Sequence, residues 1–159
     1  MRITLTVNKA NVYDEVAKAS AYAGAKKMAE DATSYDRIFT TDEDRLLLER
    51  FWVETCNNTT NHLKQFVVSV KTQPISHGID LSRNYDVELD VSSAYDPVLT
   101  ESVETSLYSY FVLAILAKWY ALTNKVETEA TALEAAASMK DVLQKIYHRK
   151  APVRITPSI

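Results

Sequence analysis

The spacing of apolar and polar residues changes several times along this chain, and each change marks an element. Tyr85, Val87, Leu89 and Val91 alternate with Asp86, Glu88, Asp90 and Ser92, the period-two pattern of a strand with one face on a core and one in water. Residues 66–71 are β-branched and alternate in part through Val68 and Val70, and a stretch with Pro74 and Gly78 separates them from the Tyr85 strand. A long-tipped hairpin over about 66–92 is predicted. Ile3, Leu5 and Val7 share a face in a further strand at the amino terminus.

Elsewhere the period is helical. Asn11 is placed to cap a first helix over about 12–28, with Val12, Val16, Ala19 and Ala23 on one stripe. The pattern fails from 30 to 40, which reads as a loop. Thr40 with Glu43 forms a capping box, and Leu47, Leu48, Phe51, Trp52, Cys56, Leu63 and Phe66 line the buried side of a second helix ending near Gln65. Asp96-Pro97 supplies an N-cap and first-turn proline for a third helix over 98–123. Asn124 and Glu127 cap a fourth over 125–148, with the stripe Val126, Ala130, Leu133, Ala136, Leu143 and Ile146. So short a connection makes helices three and four antiparallel neighbours.

The predicted fold is mainly α: a four-helix bundle over 1–150, with a β-hairpin inserted between helices 2 and 3 and extended amino- and carboxy-terminal arms, the latter at 151–159. With 159 residues, 47% hydrophobic and 25% charged, the chain is long enough to bury a core without staples. The longest uncharged stretch, 105–117, is too short to cross a bilayer. The amino terminus has no apolar leader pattern, and the single cysteine, Cys56, falls among Phe51, Trp52 and Val53. Both features fit intracellular, reducing synthesis.

Candidate chemistry is sparse. Only Gly24 and Gly78 occur, too few for phosphate-cradling loops, nucleophile elbows or dinucleotide fingerprints. His62, His77 and His148 lack the spacing of a helical metal pair, and the carboxylates fit helix termini and solvated faces. No catalytic, cofactor or metal residue is assigned, and an enzyme is not expected. A net charge of −3 gives no global positive field for nucleic acid.

Contact is the better reading. Tyr108 and Tyr110 lie about 200° apart on a helix, so at least one is expected to meet a second surface. The carboxy-terminal arm carries Arg149, Lys150, Pro152, Val153, Arg154 and Ile155, a mixture of cations and apolar residues without a local core. Ile3, Leu5 and Val7 in the first strand, and Val68, Val70, Tyr85, Val87 and Leu89 in the hairpin, are likewise expected to find cover in neighbouring molecules.

A helical bundle of this length, a hairpin between helices two and three, a very apolar third helix and the basic, proline-containing tail Tyr147-His148-Arg149-Lys150-Ala151-Pro152 together resemble the head-tail connector, or adaptor, proteins of tailed bacteriophages. The resemblance covers most of the chain and rests on architecture. It implies a virion protein of the neck, made in the host cytoplasm. Such a protein forms a homo-oligomeric ring, usually of twelve subunits, below the portal protein, with the arm on the portal and the other end on tail or stopper proteins. DNA would pass without specific binding; no cofactor or membrane is implied. Two alternatives stay open: another phage neck or tail-completion protein, and a cytoplasmic ligand-binding or regulatory bundle with a cavity between helices two and three.

Overall fold

A computed structural model describes residues 1–28, 44–71, 84–123 and 125–150. Within them the chain is mostly helical, with four helices and a small antiparallel sheet. The elements are β1 (Arg2–Val7), α1 (Lys9–Met28), α2 (Arg45–His62), β2 (Val67–Lys71), β3 (Tyr85–Asp90), α3 (Thr100–Thr123) and α4 (Lys125–Tyr147).

The amino-terminal strand is not an arm. β1 pairs antiparallel with β3, which also pairs with β2, giving the strand order β1-β3-β2. Ile3 lies opposite Leu89, Leu5 opposite Val87 and Val7 opposite Tyr85, so both strands turn their apolar alternation to the same face. That face is closed by the chain's own helices: Leu5, Tyr85, Val87 and Leu89 are fully buried, and Ile3 and Val7 nearly so. The expectation that these six residues are covered by neighbouring molecules is therefore corrected. The period-two pattern was right about a buried face; the partner is the helical body.

β2 departs from its pattern too. Its register with β3 shifts between Val67 and Ser69, a bulge that places an extra residue in the edge strand. Val67 and Val70 are half-buried against the core and Val68 is exposed, so Val68 and Val70 do not share a face.

α3 runs through the centre, with Val103, Leu107, Phe111, Ile115 and Trp119 among its buried residues. Phe111 meets Trp52 of α2 at 4.9 Å and Tyr85 of β3 at 5.3 Å between ring centroids. Tyr13 of α1 stands edge-on to Trp52. One hydrophobic cluster thus joins the sheet to the helices. α3 begins after a short 3₁₀ turn at Pro97–Leu99, where the Asp96 carboxylate accepts from the Val98 N–H as an N-cap should. α3 and α4 are antiparallel: Lys145 Nζ donates to Ser102 Oγ at 2.7 Å, and the Ser106 hydroxyl donates to Asp141 at 2.6 Å.

Three boundaries or faces differ from the sequence pattern. α1 starts earlier, because Asn8 rather than Asn11 accepts from a first-turn N–H, that of Asn11, at 3.0 Å. α2 ends at His62 rather than near Gln65, and its polar residues 57–61 stay helical, where Thr59 and Thr60 satisfy their hydroxyls on the carbonyls one turn back. α4 buries Thr131, Ala135, Met139, Val142 and Ile146; of the expected stripe, Val126, Ala130, Leu133 and Ala136 are exposed and Leu143 is half-buried. The sequence offers α4 two stripes of helical spacing. α3 occupies the one with Met139 and Val142. The capping residues Thr40, Glu43 and Asn124, the loop at 30–40 and the tip of the hairpin lie outside the described residues.

Candidate interaction surfaces

The carboxy-terminal segment starts from an ordered root. At the end of α4, Arg149 Nη1 donates to the carbonyls of Ile146 and Tyr147, at 3.2 and 2.9 Å, placing a cation at the negative end of the helix dipole. Arg149 also forms an antiparallel bridge with Tyr95, and the Lys150 N–H donates to the Ala94 carbonyl at 2.8 Å. Tyr95 is buried, its hydroxyl 3.0 Å from Thr100 Oγ1. Tyr147 stacks edge-on to Phe66 and donates to Gln65 Oε1 at 2.9 Å. Three chain segments are thereby tied together where the described chain ends. The Arg149 and Lys150 side chains are exposed; Pro152, Val153, Arg154 and Ile155 lie outside the described residues.

The outward face of the sheet is polar. Glu88 pairs with Arg2 at 2.7 Å, and Thr6 Oγ1 donates to Asp86 at 2.7 Å. The edge of β1 is occupied by a helix side chain, the Thr6 N–H donating to Glu104 of α3. β2 is the other edge, and its bulge and Lys71 are devices that discourage pairing with another sheet.

The tyrosines of α3 are used inside the molecule. Tyr108 donates to the Asn11 carbonyl at 3.0 Å, and burial, followed by the nearby Glu15 carboxylate, pushes its phenol up to about 12. Tyr110 is buried against His62 and Phe111. The second surface expected from their angular separation lies within the chain, on α1 for Tyr108 and on α2 for Tyr110.

Between α3 and α4 lies an open groove of about 490 Å³. Ala114 and Ala117 floor it from α3, Ala136 and Leu143 from α4, and Lys118 and Lys140 stand among its lining residues. Only His62 comes from α2, so this is not the cavity between helices two and three that the ligand-binding alternative expects. Lys118 is held by Glu54 at 2.8 Å, and that hydrogen bond, more than the neighbouring Arg50, keeps the Glu54 carboxyl below its ordinary value. Among the described residues no three His, Cys, Asp or Glu side chains are grouped to hold a metal ion, and no helix is long and apolar enough to cross a membrane.

No protein-family model, curated protein or solved structure matches this chain.

Proposed function

We propose that this protein is a structural adaptor of the head-tail connector type: a virion neck subunit that forms a ring, usually of twelve copies, below the portal and joins capsid to tail. The observation that carries the reading is the anchored root of the carboxy-terminal segment. Arg149 and Lys150 are fixed to the 94–95 backbone, and the sequence continues as Ala-Pro-Val-Arg-Ile. Cations and β-branched residues in a proline-containing stretch suit docking on an acidic, apolar groove of a larger assembly.

In this reading the segment from Arg149 to Ile155 binds the portal, and tail or stopper proteins meet the opposite end. With β1 and β3 committed to the core, the exposed Val68 of β2 is what remains of the hairpin contact. A charge of −3 per subunit and a polar sheet face let DNA pass without sticking. Another neck or tail-completion role would use the same segment. The test is co-sedimentation with the portal assembly of the host phage, comparing the full chain with one ending at Lys150. The full chain is expected to pellet with the portal and the shortened one to stay in solution with an unchanged melting temperature. Equal binding by both would refute the role of the segment.

A further inference from the structure

Among the described residues, α4 presents a second seam that the fold leaves mostly open, with Leu143 half-buried at its edge. Val126, Glu129, Leu133, Ala136, Lys140 and Leu143 follow one another at alternating spacings of three and four, the a/d repeat of a coiled coil. This seam lies well round the helix from the face packed on α3. Val126 is 75% and Leu133 66% exposed, and Glu129, Ala136 and Lys140 are exposed as well. Neither Glu129 nor Lys140 has an ion-pair partner among the described residues.

We infer that this seam is a two-fold interface with a second copy of the chain, α4 packing antiparallel on α4 of its partner. The order of residues selects that arrangement. In an antiparallel pair each a position faces a d position, so Val126 would meet Leu143, Glu129 would meet Lys140, and Leu133 would meet Ala136, each layer occurring twice by symmetry. Every layer is complementary: apolar on apolar, acid on base, large on small. A parallel pair would instead set Glu129 on Glu129 and Lys140 on Lys140.

Small residues flank the seam at Ala130, Ala132 and Ala137 and permit close approach of the two helices. The groove between α3 and α4 continues the same apolar surface, since Ala136, Lys140 and Leu143 belong to both. The contact runs about 26 Å and contains two charged layers, so it makes a weak dimer. It does not involve the carboxy-terminal segment, and because a two-fold contact turns its two copies end for end, it is a contact of the free chain that neighbours in a one-way ring do not make.

Charge exchange tests it. In sedimentation equilibrium at low salt, the wild type should show a concentration-dependent monomer-dimer equilibrium, and the chain ending at Lys150 the same one. Glu129→Lys or Lys140→Glu alone should weaken association by about tenfold, two attractive pairs becoming repulsive, while the double variant restores it and Leu133→Glu abolishes it. Circular dichroism of each variant should match the wild type. A wild type that stays monomeric at several hundred micromolar, a groove found by native mass spectrometry to hold a small molecule on a monomer, or single and double charge variants that associate alike would overturn the interface.

Discussion

Lys9 joins α1 to α2 through Glu49, with side chains only 5% and 17% exposed, and its ammonium lies 5.5 Å from the Tyr13 ring centroid. Removing one member of so buried a pair strands the other charge. Lys9→Met is expected to lower unfolding stability by about 3 kcal/mol, and Lys9→Met with Glu49→Leu to regain most of that, as read from urea midpoints. Cys56 makes a second residue-scale prediction. Burial pushes its thiol from 9.0 up to about 12. The folded chain therefore keeps a proton that the unfolded chain has lost. This contribution is fully present below pH 9 and declines as pH rises toward 12. Tyr85, pushed from 10.0 to about 12 by burial, acts in the same direction from pH 10 upward. Melting temperature plotted against pH should fall less steeply between pH 9 and 10 in Cys56→Ala than in the wild type.

Among the elements, β1 changes the picture most. Its six residues complete a sheet that encloses the face of β3, and Leu5 is fully buried opposite Val87. Leu5→Ala is expected to cost about 2–5 kcal/mol in chemical denaturation; a loss below about 1 kcal/mol would mean that the strand is the loose arm its terminal position suggested. Strands β1 and β3 were legible in the sequence because alternation reports a buried face. Alternation does not report who buries it, and two strands about eighty residues apart offer no local sign that they pair. The bulge in β2 was hidden because a one-residue register shift leaves no mark on composition. α3 could be read from its uncharged length, and its start from Asp96-Pro97. α4 could be located but not oriented, since two apolar stripes compete on an alanine-rich helix and tertiary packing chose between them. The candidate site was legible only as a composition: Arg149 and Lys150 stood out as cations after a helix, whereas their anchorage to Ala94 and Tyr95 depends on backbone geometry.

At the scale of the whole molecule, the apolar face of the sheet and the rings of Tyr85, Tyr95 and Tyr110 are buried within the described chain, so the proposed contacts draw on other features. Besides the exposed Val68 of β2, two features are given a partner. One is the basic segment that follows the Arg149 anchor, and the other is the outward seam of α4. In the proposed readings the first would contact a larger assembly, and the second would pair two copies of the free chain. The adaptor reading stands on the first. The most direct measurement is quantitative mass spectrometry of any phage particles released by the strain that carries this gene, expressing either the full chain or the chain ending at Lys150. The account predicts a fixed number of copies per particle, near twelve, with the full chain, and none with the shortened chain although it is folded and abundant in the lysate. Full incorporation of the shortened chain, or absence of the full chain from the particles, would contradict it.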